Sequence, residues 1–270
     1  MTLLPTISGH TRVFGIIADP IHHVRGPTLF NEIFQKSGYD AVMVPLHLTS
    51  AELPTVWRGL RDLRNLDGFL VTVPHKTAAA ELCDAVDAAA SLIGAVNVVR
   101  REDDGRMVGA MFDGVGFVAG LRANGYEPAG QSVLLLGAGG AASAIALALL
   151  DCGIGRLTIA NRTSAKAEML AAQLRKVIPN AEIAIGTADP TGHDLVVNAT
   201  SLGLYLSDPL PLNPELLTER MTVAEIIMNP VETPLLSAAR ARGSAIQYGR
   251  QMLDHQLPLL AGFLGLPGYP

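Results

Sequence analysis

The sequence predicts an α/β fold, its second half a doubly wound parallel sheet and its first half a smaller α/β domain. Three observations lead there. Short apolar runs recur through the 270 residues, separated by segments with one apolar stripe at helical spacing. From Ser132 onward the alternation becomes regular, as in right-handed strand–helix–strand units of a parallel sheet. Midway along the chain, four apolar residues, Val133-Leu-Leu-Leu136, run straight into the glycine turn Gly137-Ala138-Gly139-Gly140-Ala141-Ala142.

The composition narrows the function. Hydrophobic residues make up 49% and charged residues 17%, which supplies a large core and excludes a disordered chain. The net charge of −5, with no basic run, argues against nucleic acid as a partner. Apolar stretches stay shorter than the roughly 18 residues that a membrane span needs, so no membrane partner is expected. The first residues, Met1-Thr-Leu-Leu-Pro-Thr, lack the basic start and apolar core of a signal peptide, which points to the cytoplasm. Cys83 and Cys152 read as reduced core thiols. No Cys/His cluster has metal-ligand spacing, so no metal is expected.

Taken in order, Arg12–Ala18 (RVFGIIA) is a first buried strand, 20–27 an irregular loop and 28–36 a helix. A short strand follows at 41–45. Thr49-Ser-Ala-Glu52 reads as a capping box opening a helix with Leu53, Val56, Trp57 and Leu60 on its apolar face. A third strand, 68–73, runs into Pro74-His75-Lys76. A helix is expected over 77–92. Strands 96–100 and 106–111 form a hairpin across Asp104-Gly105, and 114–124 is helical. After Pro128 the strands are Ser132–Leu136, Arg156–Ala160, 181–185, Leu195–Asn198, 223–227 and Ala245–Gln247. A last helix, 252–264, comes after this sheet is complete. The boundary between domains lies near 112–128, giving 1–112 and 113–247.

The glycine turn has the spacing of a dinucleotide site. Gly137 makes the turn, Gly139 lets backbone approach a pyrophosphate, and the small Ala142 lets the following helix pack on the strand. The helix amides then face the phosphates, with Gly137, Ala138, Gly139, Gly140 and Ala141 lining the cofactor. An NAD-preferring turn places a carboxylate at the end of the next strand. Here that place holds Asn161-Arg162-Thr163-Ser164, with Lys166 behind. A planar guanidinium suits a 2′-phosphate, so NADP is expected over NAD.

These residues resemble the shikimate dehydrogenase family over nearly the whole chain. The pieces are Pro20-Ile-x-His23 with Pro27 and Asn31, Val71-Thr72-Val73-Pro74-x-Lys76, Gly94-Ala-Val-Asn97 and Asp113-Gly114. Further along come the glycine turn, Asn161-Arg162-Thr163-x-x-Lys166, Asn198-Ala-Thr200-x-x-Gly203, Asn229-Pro230-x-x-Thr233-Pro and Gly249-x-x-Met252-Leu253-x-x-Gln256. The resemblance implies an N-terminal substrate domain beside a Rossmann NADP domain, with the substrate cleft between them. The last helix, within 248–270, is implied to return to the first domain. The implied activity is NADP-dependent hydride transfer to or from a ring alcohol such as shikimate or quinate. In that chemistry Lys76 and Asp113 form a proton relay. An alcohol losing hydride from carbon must also lose a proton from oxygen, which a fixed ammonium beside a carboxylate can carry. Thr72, Asn97 and Gln256 match positions that bond substrate hydroxyls, and Thr200 and Gly249 join the cofactor set. His75 and His255 are expected to be bystanders. A small-molecule substrate and a monomer or homodimer follow.

The chain departs from the family where the family binds the substrate carboxylate. A Ser-x-Ser pair is replaced by Val24-Arg25-Gly26, an Asn before Val-Thr by Leu70, and a Tyr by Met228; Met111-Phe112 stands for Asn-Thr. Each hydrogen bond to a charged group is worth roughly 1.5–3 kcal/mol. Losing about two of them weakens binding by roughly 10²-fold or more. The expectation is therefore a substrate that lacks the carboxylate or presents it differently, unless Arg25, His22 or His23 supplies another anion contact. A third alternative is a nucleotide-binding sensor with little activity, against which the kept Lys76 and Asp113 speak.

Overall fold

The computed structural model describes residues 6–269. It contains two compact units, one built from the described residues up to Phe112 together with those from Pro258 on, the other from Asp113–Leu257.

In the first unit the chain runs β1 (Arg12–Ala18), α1 (Gly26–Ser37), β2 (Ala41–His47), α2 (Leu53–Asp62), β3 (Leu66–Val71), α3 (Lys76–Leu82), β4 (Ala85–Val86), α4 (Ala88–Ile93), β5 (Val98–Arg101) and β6 (Met107–Ala110). The sheet order is β2-β1-β3-β5-β6-β4. β1 pairs parallel with β2 and β3, while β3–β5 and the β5–β6 hairpin are antiparallel. Helix α1 begins at Gly26, two residues before the expected start, because Pro27 is favourable in a first turn whose amides lack partners. It ends at Gly38, which takes the left-handed conformation at φ 67° and returns its amide to Phe34 and Gln35. In the core Trp57 meets Phe69 edge to face at 5.2 Å, and both side chains are buried.

Two local expectations are corrected. The helix expected over 77–92 is broken by β4, which pairs parallel with β6. Asp84 exchanges hydrogen bonds with Met107, and the Asp87 amide donates to Gly109. Asp87 Oδ1 then caps α4 by accepting from the Ala90 amide. Pairing with the sheet edge outweighs the helix propensity of the alanines on either side. The capping box is only half formed: Glu52 accepts from the Thr49 amide and hydroxyl, but no side chain caps α2.

The second unit runs α5 (Asp113–Ala123), β7 (Ser132–Leu136), α6 (Gly140–Asp151), β8 (Arg156–Ala160), α7 (Ser164–Val177), β9 (Ile183–Ile185), β10 (Leu195–Asn198), β11 (Thr222–Glu225), α8 (Pro234–Ala241), β12 (Ala245–Gln247) and the start of α9 (Arg250–Phe263). All six strands are parallel in the order β12-β11-β10-β7-β8-β9. The winding reverses between β7 and β10, so a crevice opens there at the carboxyl ends of the strands. Helix α5 lies against α6 through Gly114, where a Cβ would stand 2.1 Å from the Ala144 carbonyl oxygen.

Of the segment 248–270 expected to return to the first domain, the described residues from Pro258 on cluster with the first unit and residues 248–257 with the second. Gly116 and Gly120 of α5 let the backbone of α9 approach closely; a Cβ on Gly116 would lie 2.6 Å from the Met252 carbonyl oxygen. The division falls at Pro258, inside α9. Cys83 and Cys152, expected in the core, stand just past the ends of α3 and α6, half-buried, and both are free thiols. Burial pushes the Cys83 thiol up to about 12. Among the described residues no helix is long and apolar enough to cross a membrane, and no group of three or more His, Cys, Asp or Glu is placed to hold a metal ion.

Candidate active site

In the second unit the glycine turn and the turn after β10 meet at the switch point. Gly137 follows β7 with φ 114°, a conformation that L side chains avoid, and its amide donates to the Ala160 carbonyl. A Cβ there would lie 2.8 Å from the Ala199 carbonyl oxygen and 3.4 Å from the Thr200 methyl. So the glycine turn and the turn after β10 touch, and only glycine fits the contact. At Gly139, by contrast, a Cβ would meet nothing within 4 Å. That open side is what a pyrophosphate needs. Gly139 begins α6 with no side chain capping its first amides, which leaves them to an anion; Gly140 and Ala141 lie in that first turn.

At the end of β8, Arg162, Thr163 and Lys166 are exposed, and the Asn161 side chain steadies the turn by donating to the Thr163 carbonyl at 2.8 Å. The nearest carboxylate in sequence, Glu168, is engaged by the Ser164 hydroxyl. Two cations beside an uncapped helix start suit a 2′-phosphate. The residues present therefore fit NADP.

Gly249 is buried where a Cβ would come within 2.3 Å of the Ile227 carbonyl oxygen. It thereby holds α9 against the segment that leads to the half-buried Met228. Asp113, 2% exposed, is the first residue of α5. Gly116, one turn further along α5, lies against Gln256 of α9, which is itself buried. Asp113 and Gln256 thus belong to the same end of α5.

In the first unit Thr72, Lys76 and Asn97 come together at the carboxyl end of β3. The Val71 amide donates to the Asn97 carbonyl at 2.8 Å, and the Val96 amide donates to the Lys76 carbonyl at 3.0 Å. The chain reverses between Thr72 and His75 across a cis Val73–Pro74 bond, the His75 amide donating to the Thr72 carbonyl. Lys76 starts α3, half-buried. The buried Asn97 accepts from the Phe112 amide through Oδ1. His75 is fully buried and its Nε2–H donates to the Leu48 carbonyl at 2.9 Å. Burial lowers its pKa, so it serves as a neutral support for the turn that carries Lys76.

Gly26 and Leu70 prove to be partners. A Cβ on Gly26 would lie 3.0 Å from Leu70 Cδ1, 3.1 Å from Ile16 Cδ1 and 3.4 Å from the Met43 sulfur. Leu70 fills the room that the missing side chain leaves, making an apolar seam between the start of α1 and the end of β3. Val24 and Arg25, just before it, are half-buried.

Glu225 and its partners Asn198 and Thr233 carry no role that their sequence positions announce. Glu225 is fully buried, and desolvation raises its pKa to about 7 against the bonds from Asn198 and Thr233. A legible signal existed: Thr233-Pro234 is a helix start, and the Thr233 hydroxyl does cap α8.

Residues 16–99 match the model of the shikimate dehydrogenase substrate-binding domain, and residues 122–206 that of shikimate/quinate 5-dehydrogenase. The NADP(+) shikimate dehydrogenase of Rubrobacter xylanophilus is 42% identical over 94% of this chain and 90% of its own. The chain belongs to the shikimate dehydrogenase family. Among solved structures, a shikimate dehydrogenase in complex with NADP+ superimposes with a TM-score of 0.88 at 32% identity, covering 96% of this chain and 91% of that one. A solved structure named for another activity is also similar in fold. The ligand-free 5-ketofructose reductase of a Gluconobacter strain gives a TM-score of 0.81 at 31% identity, over 95% of this chain and 94% of that one.

Proposed function

We propose that the chain is an NADP-dependent oxidoreductase interconverting shikimate and 3-dehydroshikimate, or a close ring analogue. The observation that carries this reading is the 42% identity, over 94% of the chain, with an enzyme named as an NADP(+) shikimate dehydrogenase. Bound NADP supplies or accepts the hydride. Gly137–Ala141 take its pyrophosphate, and Asn161, Arg162, Thr163 and Lys166 take the 2′-phosphate end. Lys76 moves the proton at the reacting oxygen, with Asp113 as the carboxylate of the relay. Thr72, Asn97 and Gln256 bond the remaining hydroxyls. The enzyme works in the cytoplasm on a small molecule, as a monomer or homodimer. Initial rates of NADP+ reduction with shikimate and with quinate, repeated with NAD+, test this; no reduction with any pair would end it.

A second reading keeps the chemistry and changes the substrate. It is favoured by the Gly26–Leu70 seam, which puts apolar atoms where a carboxylate-binding serine and asparagine are expected. A structural neighbour named for a ketose, a molecule without a carboxylate, supports it. Rates with carboxylate-free cyclic polyols and ketoses, set beside shikimate, separate the two readings.

A further inference from the structure

Buried polar side chains at the carboxyl ends of β10 and β11 form one continuous network. Glu225 and Asn198 end those two strands, and both are fully buried. Glu225 Oε1 accepts from Asn198 Nδ2 at 2.8 Å and from the Thr233 hydroxyl at 2.9 Å. Asn198 Nδ2 also donates to the Leu202 carbonyl at 3.0 Å, while its Oδ1 accepts from the Thr200 hydroxyl and amide at 2.7 and 3.2 Å. Thr200 Oγ1 in turn accepts from the Leu202 amide at 3.1 Å. The turn that follows β10 is thus pinned at both of its ends by one amide side chain. Which end of that amide faces inward is decided by the carboxylate oxygen of Glu225, since an acceptor there admits only the NH2 group.

This turn is the one whose Ala199 carbonyl abuts Gly137. Its position therefore sets one wall of the crevice at the switch point. A carboxylate buried in this place is costly, and an apolar side chain of similar volume would fill the space more cheaply. What the carboxylate adds is orientation.

We propose that Glu225 is a positioning residue for the cofactor: acting through Asn198, it holds the 199–203 turn against Gly137, so that Thr200 and the glycine turn meet the nucleotide already arranged. The proposal rests on the NADP reading above. It assigns to Glu225 no contact with substrate or with the reacting atoms.

The test is NADP+ binding by calorimetry, with steady-state kinetics, on the full-length chain. Glu225→Leu keeps the volume and removes the acceptor; a roughly tenfold or greater rise in Kd is expected, with kcat at saturating NADP+ within about threefold of wild type. Glu225→Gln keeps one oxygen for Asn198 and Thr233 and is expected to restore Kd to within about threefold. A folded Glu225→Leu chain that binds NADP+ as tightly as wild type, or one that loses kcat while keeping Kd, overturns the positioning role. If Glu225→Leu fails to fold, Thr233→Val decides: it removes one of the two side-chain donors to the carboxylate, and a rise in Kd of about fivefold or more supports the proposal while a Kd within about threefold of wild type overturns it. Wild-type chain that binds no NADP+ at all overturns this proposal together with the cofactor reading, whereas wild-type binding with an unaltered Glu225→Leu variant overturns the positioning role alone.

Discussion

Between pH 4.5 and 7 the second unit is expected to lose stability as the pH rises, and the loss is traceable to Glu225. Burial lifts this carboxyl from 4.5 to about 7, with only the neutral donors Asn198, Thr233 and the Ile226 and Ile227 amides pulling the other way. The folded state therefore holds a proton that the unfolded chain has already released. Because the folded pKa is the higher one, the contribution is fullest below the unfolded value, declines as pH climbs through the interval, and is flat above the folded value. At about 1.4 kcal/mol per pH unit, the separation amounts to about 3 kcal/mol. Glu225→Gln has no proton to lose and should remove the slope. Urea unfolding at a series of pH values from about 4.5 to 8, for wild type and variant, reads this directly. The wild-type curve should drop by about 3 kcal/mol relative to Glu225→Gln across the range. Two curves that stay parallel would refute the reasoning.

Gly26→Ser should destabilise the first unit by about 1–3 kcal/mol, because a side chain there meets Leu70 and Ile16 at 3.0–3.1 Å in a packed seam. Adding Leu70→Asn should recover part of that loss, and thermal unfolding of the singles and the double measures the coupling. Replacing Arg162 by Ala removes the exposed guanidinium after β8; the ratio of kcat/KM for NADP+ over NAD+ should fall by about one to two powers of ten, while kcat with saturating cofactor stays near wild type.

Much of this architecture was legible because the inner strands of the second sheet are almost wholly buried and read as mainly apolar runs: Ser132–Leu136, Arg156–Ala160 and Leu195–Asn198 stand where expected, as does the edge strand Ala245–Gln247. The glycine turn was legible for a related reason, since a backbone at φ 114° against a carbonyl leaves glycine as the sole choice at residue 137. What stayed hidden depends on partners distant in sequence. Nothing local marks β4, two residues long, whose place is made by Asp84 and Asp87 reaching Met107 and Gly109. The pairing of Gly26 with Leu70 spans two elements, and each residue alone reads as an ordinary loop glycine or strand leucine. Glu225 is hidden in the same way: its partners stand 27 residues before it and eight after it. The first turn of α9 is held by glycines of α5, a contact that periodicity cannot reveal.

The proton relay is tested most directly by replacing Lys76 with Ala and measuring NADP+ reduction by shikimate beside NADP+ binding. The expected result is a fall in kcat of several powers of ten, roughly 10²–10⁴-fold or more, with NADP+ affinity unchanged because the residues proposed to hold the cofactor lie in the other unit. A Lys76→Ala chain that binds NADP+ normally and turns over shikimate at a rate near that of wild type would contradict it.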